Sequence, residues 1–217
     1  MGFMTSPASA SLKEILTRLD ERIQRVDEER WLSSRYASQS ARDGLITLYA
    51  FYYELARVRV AVTDATLGQV RFQWWRDALT ELRVGDVRQH DVVLALQSIH
   101  SRGFFAVEDL LPLIDAHEQA FQTDHRSQEP EDQLAVLAAK SLGPLTDAEQ
   151  IGQVALEWAA LRRGDDLEQG LEKLRIASAV RPALAHLRLR HAWRRGETPG
   201  ALKRRFCVLN AVLTGSI

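Results

Sequence analysis

The stretch that decides the fold runs from Tyr49 to Leu79 and reads YAFYYELARVRVAVTDATLGQVRFQWWRDAL. It contains seven aromatic residues, divided between two blocks that each repeat with helical spacing. A small globular domain rarely exposes so much aromatic surface, so the two helices are expected to line a core or an apolar pocket. The spacing predicts which side chains are buried. They are Leu48, Tyr49, Tyr52, Leu67, Val70, Trp74 and Ala78.

The segments on either side also have a helical pattern. Apolar residues recur on one face from Leu12 to Val26, behind a capping box formed by Ser11 and Glu14. A second capping box, Thr146 and Glu149, is expected to open a later helix. Further helices are predicted at about 90–101, 106–122, 131–141, 147–163, 166–178, 182–193 and 199–213. No segment alternates apolar and polar residues for long enough to predict a strand, so the sequence predicts an all-α chain with residues 1–217 in one domain.

The composition is that of an ordinary soluble protein, with 46% hydrophobic and 26% charged residues. No run approaches the roughly 18 apolar residues that a membrane span needs. Residues 1–10 lack the basic region and apolar stretch of a secretory signal. The single Cys207 excludes an internal disulfide and a cysteine-cluster metal site. A reducing compartment, the cytoplasm or the mitochondrial matrix, fits these features.

The net charge of −1 hides an asymmetry along the chain. The C-terminal segment 173–217 carries ten Lys or Arg residues and one acid, Glu197, so it is strongly basic and the remainder is acidic. The predicted basic patch consists of Arg188, Arg190, Arg194, Arg195, Lys203, Arg204 and Arg205. Such a patch favours an acidic protein partner or an anionic surface, for example at the periphery of the inner membrane. The alternative is that it balances the acidic body of its own fold. No recognition motif for nucleic acid accompanies it.

Three short motifs carry a resemblance to a known family. Tyr49–Phe51, Glu54–Arg57 and Gln73–Asp77 together resemble the squalene/phytoene synthase family, in a divergent branch that includes mitochondrial complex I assembly-factor members. The resemblance extends from about Asp27 to Arg163. It implies an all-α, isoprenoid-synthase-like helical bundle.

The resemblance also implies where metal ligands should lie. Family members bind prenyl diphosphates through Mg²⁺ held by two D-x-x-x-D motifs, because the i, i+4 spacing puts both carboxylates on one helical face. The matching positions here are Ala56 and Val60 in the first motif and Arg163 and Leu167 in the second. The family's Ser-Lys pair, which helps to hold the diphosphate, would fall in residues 27–30, which read Asp-Glu-Glu-Arg. No metal site is therefore predicted.

Asp165 and Asp166 lie near the second motif and are expected to cap the next helix. No cofactor is predicted either. Magnesium enters only if the chain is an enzyme with unconventional ligands.

Six residues are candidates for binding a ligand or a partner: Glu54, Arg57, Arg71, Trp75, Arg76 and Asp115. Glu54 and Arg57 are spaced for a simple helix ion pair, or Arg57 occupies part of the lost metal site. Arg71 and Trp75 are spaced for a cation–π contact. Trp75 and Arg76 are candidates for facing a cavity or a partner, with a structural role as the alternative, whereas Trp74 is assigned to the core. Asp115 shares a face with Glu118, which makes a poor metal site on its own.

The first hypothesis for function is a non-catalytic member of the family, which serves as a binding or assembly factor for a respiratory complex of the inner membrane. Two alternatives stay open. One is a head-to-head prenyl-diphosphate transferase, and the other is an isoprenoid- or lipid-binding carrier. The missing acids distinguish the first hypothesis from the enzyme, and a long apolar cavity would favour the carrier.

Overall fold

A computed structural model of the protein describes residues 11–123, 128–168 and 170–217. Its described α-helices are α1 Leu12–Val26, α2 Glu28–Ser34, α3 Gln39–Ala61, α4 Ala65–Arg83, α5 Asp91–His100, α6 Leu111–Gln122, α7 Glu131–Lys140, α8 Ala148–Arg163, α9 Arg181–Leu184, α10 Arg190–Arg194 and α11 Ala201–Thr214. Short 3₁₀ turns cover Val107–Leu110, Ser178–Val180 and Ala185–Leu189. No strand is present among these residues, and the predicted all-α class is confirmed.

Helix α3 lies at the centre of the bundle. It packs against α1, α5 and α6 along its length, and also contacts α2, α4 and α7. Helices α7 and α8 form an antiparallel pair. Helix α9 packs against α7, and α10 packs against α8. The core is one continuous cluster that extends from α1 to α11, with Trp31 of α2 and Trp193 of α10 packed against it as partly buried residues. None of the described helices is both long enough and apolar enough to cross a membrane.

The ends of several helices follow their sequence signals. The hydroxyl oxygen of Ser11 accepts a hydrogen bond from the backbone N–H of Glu14, and the Glu14 carboxylate accepts one from the backbone N–H of Ser11. The predicted capping box of α1 is therefore present. Helix α4 ends just before Gly85, which has a φ of +84°, a conformation that favours glycine. The second predicted capping box is wrong, because α8 starts after Asp147 and no side chain caps it.

The predicted helix at 166–178 is wrong. Described residues from Asp165 to Ala177 form no helix, and Arg175 forms an isolated antiparallel bridge with Ser216. Leu174 and Ile217 also exchange backbone hydrogen bonds of 3.0 and 2.9 Å. Asp165 therefore caps no following helix and pairs instead with Arg163 at 2.8 Å. The chain's last residues hold this segment in place, a contact that local propensity does not encode.

Helix α3 buries the predicted face, and α4 does not. Leu48, Tyr49, Tyr52 and Ala78 are buried as expected. Leu67 and Val70 are 47% and 59% exposed, and Trp74 is only partly buried. The buried residues of α4 are Gly68, Phe72, Trp75, Ala78, Leu79 and Leu82.

Gly68 explains part of this choice of face. A Cβ atom there would lie 2.2 Å from the ring of Phe121 in α6, so only glycine permits this close approach. Phe72 meets the same ring edge to face, with centroids 5.9 Å apart. The contact between α4 and α6 thus selects the face that contains Gly68 and Phe72.

Candidate functional site

Oppositely charged side chains meet in the middle of the bundle, away from solvent. Arg30 of α2 contacts Asp27, the N-cap of its own helix, and Glu131 at the start of α7. The hydroxyl of Tyr52 donates to Oε1 of Glu131 at 3.1 Å. Arg30 and Glu131 are nearly inaccessible to solvent. These four residues, Asp27, Arg30, Tyr52 and Glu131, are called the interior ion cluster. Buried charges are tolerated only when paired in this way.

Aromatic rings surround the cation of this cluster. The guanidinium of Arg30 lies 4.9 Å from the ring centroid of Trp158 and 5.6 Å from that of Tyr52. Burial raises the pKa of the Tyr52 hydroxyl well above its ordinary value, so the group stays protonated and donates. Burial also acts to raise the pKa of Asp27, but Arg30 and Arg162 outweigh it and hold that pKa below its usual range. Arg30 and Asp27 are therefore ionised at neutral pH, whereas burial raises the pKa of Glu131 against the attraction of Arg30.

Two further basic residues border the cluster. Arg59 of α3 is buried and its Nη1 donates to the backbone oxygen of Gln128 at 2.8 Å. His117 of α6 is fully buried, and its ring meets that of Tyr52 with centroids 4.6 Å apart. Neither ring nitrogen of His117 has a hydrogen-bond partner among the described residues. Burial, assisted by Arg59, lowers the pKa of His117 to about 3, so the ring is neutral.

An open groove of about 680 Å³ lies between α6, α7 and α8, beside the cluster. Arg163 and Leu167 line it, together with Glu129 and Glu157. Glu157 pairs with Arg190 at 2.7 Å and with Arg194, so its charge is neutralised. No group of three or more His, Cys, Asp or Glu side chains in the described parts of the chain is arranged to hold a metal ion.

Four of the six candidate residues meet in a second, smaller groove of about 230 Å³ on the outside of α3 and α4. It is lined by Glu54, Arg57, Val58, Arg71, Trp74, Trp75 and His90. Glu54 accepts hydrogen bonds from Arg22 at 2.8 Å and from Arg57 at 3.2 Å. The predicted helix pair is thus present. The side chain of Arg57 is 60% exposed, so the alternative that it fills the interior is wrong.

Arg71 is the cation of this groove that has no partner in the described parts of the chain. It is exposed, and it forms no ion pair or ring contact with any residue that the structure describes. The predicted cation–π contact with Trp75 is absent from the described residues. Arg88 lies over Trp74 instead, 4.9 Å from the ring centroid. Leu67, Val70, Arg71 and Trp74 follow one side of α4, and are called the α4 outer face.

Trp75 belongs to the core, so the structural alternative is the one that the structure supports for this residue. It is 4% exposed, and its ring lies 5.3 Å from that of Phe51, edge to face. Only its edge reaches the groove, where it meets His90 with centroids 5.3 Å apart. The assignments of Trp74 and Trp75 are therefore exchanged relative to the sequence prediction.

Arg76 and Asp115 lie together, away from this groove. Nη2 of Arg76 is 2.6 Å from Oδ1 of Asp115, and the same guanidinium reaches Glu118. The pair joins α4 to α6. Both residues thus serve the packing of these helices, and the shared face of Asp115 and Glu118 binds an arginine.

Comparison with known proteins agrees with this arrangement. The family model for squalene/phytoene synthase matches residues 23–147, which is more than half of the chain. The chain belongs to the squalene/phytoene synthase family. The all-α bundle is thus the isoprenoid-synthase type that the motifs imply. No solved structure matches the chain.

The chain is also similar in sequence to the human protein named "NADH dehydrogenase (ubiquinone) complex I, assembly factor 6". It is 25% identical over 99 residues, which cover 46% of this chain and 30% of the human protein. The match therefore spans less than a third of that relative's length.

The residues that the resemblance assigns to the family's magnesium motifs are Ala56, Val60, Arg163 and Leu167. Ala56 has no oxygen in its side chain, and Val60 is 61% exposed at the C-terminal end of α3. Arg163 binds Asp165. Mg²⁺ requires hard oxygen ligands, so these four side chains do not fit the ion. Residues 27–30, which the resemblance assigns to the family's Ser-Lys pair, include Asp27 and Arg30 of the interior ion cluster.

The basic residues of 173–217 do not form one solvent-facing patch. Arg190 is fully buried and, besides Glu157, binds the backbone oxygens of Leu171 and Glu172 at 2.9 and 2.8 Å. Arg194 also binds Glu157. The expected single patch is wrong for these two, because they neutralise a buried acid of the body.

The other members of the predicted patch are dispersed. Arg204 pairs with Glu28 at 2.6 Å, and Arg188 donates to the backbone oxygen of Ser216 at 2.8 Å. Arg195 and Lys203 both bind Glu197. Arg205 stays exposed, with no ion pair to a described residue. The segment therefore combines internal charge balance with a smaller cationic surface.

The sequence reasoning missed the interior ion cluster and its neighbours. Arg59 carried a signal, because it continues the buried face of α3 at i+7 from Tyr52 and a charge at such a position needs a buried partner. The sequence signal for Glu131 was weaker, and consisted only of its place as an acidic residue directly after Pro130. His117 carried none beyond its place on the buried face of α6.

Proposed function

We propose that this protein is a non-catalytic member of its family and acts by binding during the assembly of a membrane-bound respiratory complex. The observation that carries the proposal is the replacement of the family's ion-binding centre. The positions that the resemblance assigns to the metal-binding acids carry side chains that do not ligate Mg²⁺. Residues 27–30, assigned to the Ser-Lys pair, contribute Asp27 and Arg30 to the interior ion cluster. The assembly role rests on the similarity to the human assembly factor.

The chemistry of the interior supports a structural role. Ionising a prenyl diphosphate requires cations that stabilise the departing diphosphate. Arg30 and Arg190 are already paired with Glu131 and Glu157, and Arg59 donates to the backbone of Gln128. The same charges speak against the carrier alternative, because a long isoprenoid needs an apolar cavity rather than a paired arginine.

The α4 outer face is the surface that we assign to the partner. Leu67 and Val70 expose apolar surface there, and Arg71 offers a cation without an internal acid. Arg57 adds a second exposed guanidinium across the groove. This chemistry fits an amphipathic segment of a protein that presents apolar residues beside a carboxylate.

The non-catalytic half of the proposal is tested with purified protein, farnesyl or geranylgeranyl diphosphate and Mg²⁺, alongside an active transferase of the family as control. We expect no release of diphosphate above the rate without protein. Magnesium-dependent release would overturn the proposal and favour the transferase. Asp165 and Asp166 would then be the first residues to replace.

The assembly half is tested by deleting the gene in its own organism. We expect the NADH:ubiquinone oxidoreductase activity of the membranes to fall, and the intact complex to be depleted on native gels. Succinate oxidation by the same membranes is the control and should be unchanged. A deletion strain with normal complex I would contradict the assembly role.

A further inference from the structure

Helix α11 exposes an apolar stripe. Leu202, Phe206 and Leu213 are 67%, 61% and 69% exposed, and Leu209 between them is partly buried. Their spacing of i, i+4, i+7 and i+11 places all four on one side of the helix. The opposite side, with Val208 and Ala211, packs onto the bundle. The helix therefore has apolar residues on both its buried and its exposed side.

Cations border this stripe. Helix α11 contains Lys203, Arg204 and Arg205 and no acidic residue. Arg204 points inward to Glu28, whereas Lys203 and Arg205 are exposed. A shallow groove of about 670 Å³ beside Phe206 is lined by Arg188, Gly200, Ala201, Leu202, Lys203, Phe206, Cys207 and Asn210, again without an acid.

One carboxylate stands near the border. Glu197 binds Arg195 and Lys203, and these two cations lower its pKa to about 2. Glu197 is therefore ionised at neutral pH and offsets one of the cations. Arg205 has no such partner among the described residues, so the border stays cationic.

We propose that the exposed side of α11 docks on an anionic lipid surface, with Leu202, Phe206 and Leu213 entering the headgroup region and Lys203 and Arg205 at the phosphates. Exposed Leu and Phe side chains beside Lys and Arg on one helix are the pattern of helices that lie in a membrane interface. The cationic border provides the charge complementarity, since anionic leaflets attract basic residues near their surface. This surface is distinct from the α4 outer face, and the inference goes beyond the proposed function without depending on it.

The test is co-sedimentation of the full chain with vesicles of phosphatidylcholine alone and of phosphatidylcholine mixed with phosphatidylglycerol. We expect at least tenfold stronger partitioning to the anionic vesicles, weakened by salt because screening shortens the reach of the charges. Phe206→Glu and Arg205→Glu should each reduce partitioning several-fold. Val84→Glu, at another exposed apolar residue, and Lys140→Glu, at another exposed cation, are the matched controls and should bind as the parent chain does.

The native cysteine gives a second readout that does not depend on any variant. Cys207 is the single cysteine of the chain and lines the groove beside Phe206. Anionic vesicles should slow its alkylation by a water-soluble maleimide several-fold, and neutral vesicles should not. Equal partitioning to both kinds of vesicle, no binding by the parent chain, or equal loss in the control variants would overturn the proposal. An acidic protein would then be the better occupant, and the assembly role would remain open to its own test.

Discussion

The interior ion cluster and the α4 outer face both combine arginine with aromatic side chains, but they differ in what the arginine binds. Arg30 is buried, pairs with Asp27 and Glu131 and lies against three aromatic rings, so it is not accessible to a second molecule. Arg71 is exposed and has no partner among the described residues. A charge that its own fold neutralises supports the structure, whereas an exposed one is available to another molecule. We therefore expect this protein to function through its α4 outer face and not through the interior of the bundle.

The largest effect should follow from breaking the cluster on one side. Arg30→Met leaves Asp27 and Glu131 buried without their cation, so we expect a loss of about 3–5 kcal/mol in the free energy of unfolding, measured by urea denaturation. A neutral triple variant, Asp27→Asn with Arg30→Met and Glu131→Gln, removes all three charges and keeps an N-cap and an acceptor for Tyr52. It should recover most of that loss. A triple variant as unstable as the single one would contradict the assignment of the cluster as a self-contained ion pair network.

The two neighbouring tryptophans provide the next contrast. Trp75→Ala removes a buried ring that packs on Phe51 and should cost about 3–5 kcal/mol of stability. Trp74→Ala removes a partly exposed ring and should cost clearly less, about 1 kcal/mol. Thermal unfolding of both variants tests this. Equal losses of stability, or a larger loss for Trp74→Ala, would mean that Trp74 lies in the core, as the sequence pattern predicts.

His117 makes the interior sensitive to acid. Its pKa in the folded state is about 3, below the ordinary value of about 6.5, so between these values the unfolded chain binds a proton that the folded chain does not. This contribution to stability is complete above pH 6.5 and falls as the pH is lowered, by up to about 1.4 kcal/mol per pH unit. His117→Phe should flatten the pH dependence of the unfolding free energy between pH 6 and 4. An unchanged slope would show that His117 is protonated in the fold.

The smallest effect on stability should come from the α4 outer face. Val70→Asp and Arg71→Glu alter exposed side chains, so each should change the free energy of unfolding by less than about 0.5 kcal/mol. Both should nevertheless reduce rescue of the deletion strain, since they place carboxylates where an acidic partner is expected. Val84→Asp, near the C-terminal end of α4 and 81% exposed, is the control and should rescue normally. Full rescue by the Val70 and Arg71 variants would show that the α4 outer face does not bind the partner.

Helices α3 and α4 also show how far the sequence leads. On α3 residues 44–52 are all buried, so Leu48, Tyr49 and Tyr52 were assigned to the core correctly whichever side of the helix they lie on. Helix α4 carries two overlapping stripes, one through Leu67 and Trp74 and the other through Phe72 and Trp75. The spacing of apolar residues in α4 identifies a helix but does not show which of the two stripes is buried. The contact of Gly68 with Phe121 selects the buried stripe, and Phe121 lies about 50 residues further along the chain.

The candidate site was predicted less well, for a similar reason. Ala56 and Val60 stand where the resemblance expects acids, and that expectation needs only the sequence, because it concerns residue types rather than contacts. The interior ion cluster joins Arg30 to Glu131 across 101 residues, and Arg190 meets Glu157 across 33. Ion pairs between distant segments leave no spacing pattern in the sequence. The basic patch was overestimated because its internal partners could not be seen.

The measurement that tests the central claim most directly is rescue of complex I activity in the deletion strain by two variants expressed at equal levels. One is the neutral triple variant of the interior ion cluster, and the other is Val70→Asp combined with Arg71→Glu. The account predicts that the interior variant restores NADH:ubiquinone oxidoreductase activity and the surface variant does not. Rescue by the surface variant together with failure of a stably folded interior variant would contradict it, because the function would then reside in the family's original centre.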